Sequence, residues 1–218
     1  MSSALFLKSR TSNLVSRMLH LESFRHVLLT LVLLSLPARA DAHLVNTGFG
    51  PFYDGLSHLF VSVEDLLAVL ALGLLAGLGG PRQGKGVLFT LTGAWILGGL
   101  AGLAQTSEIK FQLAAVISFL FVGALVAFDR KLPIGVVIGL AGVLGVLHGF
   151  LNGTAMVAAK LGATGLIGIG LGVFVLTAFV AAFVVWVRPQ WARVGVRVVG
   201  SWIAAVGLLM FGWTARGM

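Results

Sequence analysis

The stretch FYDGLSHLFVSVEDLLAVLALGLLAGLGG, residues Phe52–Gly80, decides how the chain is read. From Ser62 to about Gly79 it reads as an apolar helix long enough to cross a bilayer. Its first turn carries two adjacent carboxylates, Glu64 and Asp65, and His58 lies just before it. Ionisable groups at or below a membrane surface are expensive and are usually retained for a function. A second histidine in an apolar run of membrane length is His148, within LAGVLGVLHGFLNG, residues 140–153.

Composition agrees with the stretch. The chain has 218 residues, 58% hydrophobic and 10% charged, with a mean hydropathy of +1.04. A soluble domain carries roughly 25% charge, so this chain could not cover its surface in water. A β-barrel would alternate apolar and polar residues in short segments, whereas the apolar runs here are long and continuous. The expected class is an all-α polytopic membrane protein with a single membrane domain. The absence of cysteine excludes disulfides, thiolate metal sites and a cysteine nucleophile. The formal charge of +8 comes from residues scattered at helix ends. They form no stripe, which speaks against nucleic acid as a partner.

Residues 1–42 read as a signal peptide. Lys8, Arg10, Arg17 and Arg25 precede the apolar run Val27–Leu36, followed by Pro37 and the small-residue pattern Ala40-Asp41-Ala42. Met18 is an alternative start, and Ala38-Arg39-Ala40 is a competing cleavage pattern. Cleavage after Ala42 would leave His43 first, where its amine and imidazole could hold a metal together. The plainer reading makes His43 a surface residue after a processing site.

Residues 43–61 form a periplasmic or interfacial lead, which Gly50, Pro51 and Gly55 should keep from being one regular helix. Six helices follow within residues 62–213, at about 62–79, 87–104, 111–128, 134–152, within 161–187, and 198–213. Gly153–Lys160 is polar enough to be a loop or a frayed helix end. With the mature amino terminus outside, the inner loops hold Arg82, Lys85, Arg130, Lys131, Arg188, Arg193 and Arg197. The outer segments hold only Lys110, Lys160 and Arg216. The positive-inside bias and an exporting signal peptide therefore agree on one orientation. The location they imply is a bacterial inner membrane with the mature amino terminus periplasmic.

This topology brings ionisable groups together. Helix one runs inward, so Glu64 and Asp65 sit at its outer end. Helix four runs outward, so His148 lies in its outer half, with Asn152 four residues on and on the same face. His58, Glu64, Asp65, His148 and Asn152, with His43 as a capture ligand, make a candidate metal site. Imidazoles with carboxylates suit divalent nickel, cobalt, zinc or copper rather than an oxygen-only calcium or magnesium cage. Each group also has a structural reading. Glu64 and Asp65 could cap a helix start, His58 could be interfacial, and a His–Asn hydrogen bond that only ties two helices together could satisfy His148.

Glycines recur four apart at Gly98 and Gly102, Gly135 and Gly139, Gly145, Gly149 and Gly153, and Gly168 and Gly172. Small residues at this spacing let helices approach closely in lipid. The run Gly77–Gly86 is not a phosphate-binding loop, because Gly84-Lys85-Gly86 lacks the Ser or Thr.

Two patterns resemble the HupE/UreJ family of membrane proteins, associated with metal supply to hydrogenase and urease. The first is Gly55-Leu56-Ser57-His58 followed by Glu64-Asp65-Leu66-Leu67, and the second is Gly145-Val146-Leu147-His148-Gly149-Phe150. In the first, the family has an Asp-His pair opening its first helix. Its aspartate falls on Glu64 and its histidine on Asp65, so one imidazole is missing here. The resemblance implies a nickel or cobalt permease or an accessory protein rather than an enzyme. The expected ligand or substrate is a divalent transition metal ion. Partners would be the lipid bilayer and either further copies of the chain or a metalloenzyme-maturation protein. The leading expectation is a carrier of the inner membrane; the alternative is a non-transporting membrane accessory protein that binds metal or docks a metalloenzyme partner.

Overall fold

A computed structural model describes residues 47–106, 111–130, 132–187 and 190–216, which contain seven helices and no strand. The expected signal peptide, residues 1–42, and His43 lie outside the described residues. The helices are α1 (Pro51–Val61), α2 (Val63–Leu78), α3 (Pro81–Leu103), α4 (Gln112–Phe128), α5 (Ile134–Ala158), α6 (Gly162–Trp186) and α7 (Gln190–Arg216).

The lead expected to be irregular is largely α1. Pro51 occupies the first turn, where its missing N–H costs nothing and its fixed φ favours the helix. Gly55 does not break α1. It lets α1 lie against α6, where a Cβ would overlap the Gly165 carbonyl. Three other boundaries differ from the sequence reading. α3 begins at Pro81 rather than about 87, because Gly80 at φ 92 turns the chain directly into a proline-led first turn. α5 continues to Ala158 and absorbs most of the expected loop Gly153–Lys160, since Gly153 serves a helix contact there. α7 starts at Gln190 rather than about 198, so Arg193 and Arg197 lie on a helix instead of in a loop.

Among the described residues, four helices are long and apolar enough to cross a bilayer: α3, α5, α6 and α7. The pair α1 and α2, bent by 73°, adds a fifth span if taken together. α4 has 17 residues, or about 25 Å at ~1.5 Å per residue, against a hydrocarbon core of ~30 Å. The sixth expected crossing rests on it.

Packing runs through the glycine rows. Along α3 and α5, a Cβ at Gly98 would strike the Val146 backbone, one at Gly102 the Phe150 carbonyl, and one at Gly149 the Trp95 carbonyl. Residue numbers rise together on both sides, so α3 and α5 are parallel. α6 likewise runs parallel to α1 and α2: Gly168 meets Phe52, Gly172 meets Leu59, Gly73 meets Val180 and Gly77 meets Val184. α4 and α7 are antiparallel, with Gly123 on Gly200 and Gly207 on Leu120. Alternating crossings, with α1 and α2 counted as one, generate these three relations. The Gly135 and Gly139 row plays no such part, since a Cβ at either would meet open space. Between the pairs lies a core that includes Trp95, Phe119, Leu72, Leu91 and Ile169, all fully buried.

Candidate functional site

The break between α1 and α2 builds the site. Ser62 N–H donates to the His58 carbonyl at 2.8 Å, closing α1. The Ser62 hydroxyl then accepts from Asp65 N–H at 3.4 Å, opening α2. One residue thus ends one helix and caps the next, a role for which serine is suited. The resulting bend carries His58 over the first turn of α2, with its Nε2 3.8 Å from Asp65 Oδ2.

Asp65 is buried and fully engaged on one side. Its Oδ1 lies 2.7 Å from His148 Nδ1. Its Oδ2 accepts from Asn152 Nδ2 at 3.0 Å. The second hydrogen of that amide goes to the His148 carbonyl at 2.8 Å, one turn back on α5. Exchanging the amide oxygen and nitrogen would set an acceptor against two acceptors, so the orientation of Asn152 is forced. His148 has no exposed surface. Its Nε2 lies 2.8 Å from Ser118 Oγ on α4, and its ring stacks on Trp95 of α3 with centroids 5.5 Å apart. Four helices, α2 to α5, meet at this one imidazole.

The hydrogen-bond pattern also counts protons. Ser118 Oγ carries one hydrogen and sits 2.7 Å from the Ala115 carbonyl, which can only accept. That hydrogen goes to the carbonyl, so Nε2 of His148 is the donor to Oγ. A further proton lies between Nδ1 and Asp65 Oδ1, because two bare acceptors do not approach to 2.7 Å. The Asp65–His148 pair is therefore neutral as a unit, whichever atom holds that proton. Neutrality is the state a low-dielectric interior accepts most readily.

Two buried polar atoms here have no protein partner, Asn152 Oδ1 and Trp95 Nε1. Glu64 takes a different course from its neighbour. It accepts from Gln112 Nε2 at 3.1 Å and fastens the start of α4 to the rim of the site. Asp54, one turn before His58 on α1, is buried and accepts from both Thr47 N–H at 2.7 Å and Thr47 Oγ1 at 2.6 Å.

The structure thus brings together His58, Asp65, His148 and Asn152 and leaves Glu64 at the edge; His43 is not among the described residues. No three His, Asp or Glu side chains among the described residues are gathered so as to hold a metal ion as they stand. The physical reason is that Glu64 turns to Gln112 and both nitrogens of His148 are occupied. The atoms with coordination capacity to spare are Asp65 Oδ2, the His58 imidazole and Asn152 Oδ1. Sequence reasoning missed Ser118, Trp95 and Gln112. Ser118 had a visible signal, as the lone hydroxyl in the apolar run Leu113–Phe128.

Comparison with known proteins adds to this geometry. The family model described as HupE / UreJ protein matches residues 30–210. The chain belongs to the HupE/UreJ family. It is 31% identical over 158 residues to Protein HupE of Rhizobium leguminosarum bv. viciae, an alignment covering 65% of this chain and 80% of that protein. No solved structure matches it. Membership accounts for the multi-pass helical architecture. Within the HupE/UreJ resemblance, Asp65, which stands where the family's paired histidine would fall, is the residue that touches His148.

Proposed function

We propose that the chain is a carrier for a divalent transition metal ion such as nickel or cobalt, in a bacterial inner membrane. The observation that carries the reading is the buried set of Asp65, His58 and Asn152, whose Oδ1 has no partner, held in register by His148. Asp65 Oδ2 supplies charge, His58 supplies an imidazole that can rotate the remaining distance, and Asn152 Oδ1 supplies a neutral oxygen. Such a mixed nitrogen and oxygen set suits first-row divalent ions. His148 aims the Asp65 carboxylate through Nδ1, the role that partners of a metal-binding group commonly play. It becomes a ligand itself only by giving up Ser118 or Asp65. Glu64 at the rim attracts the cation before it reaches Asp65. His43, if the chain is cleaved beside it, adds a capture ligand outside.

A second reading is accessory binding without transport. It is favoured by the buried polar residues of the described chain. Towards the Arg193 end these include Thr177 and Gln83 but no ionisable group, so nothing charged relays a cation onward. One experiment separates the two. Purified protein is assayed for bound metal and then reconstituted in vesicles for metal flux. Binding with flux supports the carrier, binding without flux supports the accessory protein, and neither in wild type overturns both.

A further inference from the structure

We propose that the cleft between α6 and α7 at the basic end of the bundle is a binding site for an anionic phospholipid of the adjoining leaflet. α6 and α7 are consecutive, joined across residues 188–189, yet they barely touch each other. The gap between them is a cleft of about 1200 Å³, walled by the end of α2 (Leu74, Gly77, Leu78), the end of α6 (Phe183, Val184) and the start of α7 (Val196, Val199). An apolar gap open to a bilayer is filled by acyl chain, since an empty one forfeits the dispersion contacts of its lining. The surroundings of the mouth select the headgroup. Trp186 and Trp191 flank it, 77% and 74% exposed, which suits rings at headgroup depth. Arg193 lines the cleft. It donates Nε–H and one Nη2–H to Asp129 at 2.6 and 2.9 Å, which leaves three of its five N–H groups for a phosphate. The described residues at this end also include Arg82, Lys85, Arg130 and Arg197, against the single carboxylate of Asp129. Basic pockets between membrane helices on the cytoplasmic side are suited to anionic headgroups, and the positive-inside bias assigns this end to the cytoplasm. The site is independent of Asp65 and does not rest on the metal reading.

The test uses the purified full chain in neutral detergent. Native mass spectrometry follows retention of phosphatidylglycerol and phosphatidylcholine with identical acyl chains, and thermal unfolding is recorded with each lipid and with inorganic phosphate. Wild type should retain phosphatidylglycerol about fivefold more strongly per engaged arginine and unfold at a higher temperature with it. Gly195→Leu adds a side chain to the cleft wall without a clash, because a Cβ there meets nothing within 4 Å. It should weaken retention of both lipids while the protein stays folded. The double variant Arg193→Gln with Asp129→Asn removes both charges together and should lower the preference for phosphatidylglycerol about fivefold. Equal retention in wild type overturns the proposal, as does retention unchanged in both variants. Inorganic phosphate stabilising as well as lipid overturns the lipid assignment. A dimer in wild type that Gly195→Leu dissolves, with lipid retention untouched, would make the cleft an interface between copies instead.

Discussion

Replacing Asp65 by asparagine separates what the carboxylate does for the fold from what it does for a cation. With Nε2 of His148 committed as donor to Ser118, a neutral imidazole has a bare Nδ1 that can accept from an amide. The new side chain can donate its nitrogen to Nδ1 and present its oxygen to Asn152 Nδ2. Both buried hydrogen bonds survive but lose charge assistance. A bond to a charged group contributes ~1.5–3 kcal/mol and a neutral one ~0.5–1.5. Asp65→Asn should therefore cost about 2 kcal/mol in total. Asp65→Ala leaves His148 Nδ1 and one of the two Asn152 Nδ2 hydrogens buried without partners and should cost ~3–5 kcal/mol, the range for removing one member of a buried pair. Metal binding should fall by more than ~100-fold in both, since loss of a mere supporting partner already costs ~10–100-fold. The assays are thermal unfolding in detergent, metal content of the purified protein and titration calorimetry. Wild-type affinity in Asp65→Asn would refute the metal site. A loss of stability as large as that of Asp65→Ala would refute the proton assignment at His148.

Other expectations follow from the same contacts. Ser118→Ala leaves His148 Nε2–H buried without a partner, so it should cost ~1–3 kcal/mol of stability and lower metal affinity by ~10-fold, and Ser118→Thr, which restores the hydroxyl, should recover the affinity in the same titration. Metal binding should weaken on acidification, because protons compete for the imidazole and carboxylate. The binding heat measured in buffers of different ionisation enthalpy should show that the proton shared by Nδ1 and Oδ1 is retained, moved onto Nδ1 as Oδ2 takes the ion; release of a full proton per ion would show that His148 has left Asp65 and become a ligand itself. Gly149→Ala sets a methyl against the Trp95 carbonyl and should destabilise by ~1–3 kcal/mol or more, whereas Gly139→Ala, which meets open space, should be neutral or gain ~0.5–1 kcal/mol of helix propensity. A reporter fused after Gly217 should behave as periplasmic and one placed within Arg188–Arg197 as cytoplasmic; the reverse pattern would invert the whole topology.

The helical membrane class was legible because hydrophobic run length is a nearly direct readout of the solvent a helix faces. Helix ends were less so, and α1 shows why. Gly50, Pro51 and Gly55 are breakers in an isolated chain, but the bundle uses each of them. Gly50 takes φ 99 ahead of the helix, Pro51 starts it, and Gly55 makes the close contact with α6. Local propensity assigns a cost to a glycine, and only the tertiary neighbour shows what offsets it. The Gly135 and Gly139 row makes the converse point. Its spacing is that of a packing seam, yet among the described residues no helix packs against it, because period alone does not say which face finds a partner.

The candidate site was legible as a set of depths but not as a set of bonds. Opposed helix directions correctly bring residues 65 and 148 to one level, and the i, i+4 spacing puts Asn152 beside His148. Spacing cannot show that adjacent carboxylates diverge, Glu64 to Gln112 and Asp65 to His148. Nor can it show that Ser118 closes the second imidazole nitrogen. These two facts change the chemistry expected of the Asp-His to Glu-Asp exchange. A second histidine at position 65 would face His148 as one imidazole to another, with no carboxylate to hold a proton between them. Asp65 makes a neutral, proton-holding pair instead, and an incoming dication at Oδ2 must drive that proton onto Nδ1 of His148 to use the full charge of the carboxylate. The exchange thus removes an imidazole but supplies a charge that appears only when the ion arrives. On this argument the departure from the family pair alters how binding depends on pH more than whether a cation can bind. Asp65→His should test it directly, by giving a metal affinity whose pH dependence differs from that of wild type. Identical pH profiles for the two proteins would show that the carboxylate takes no part.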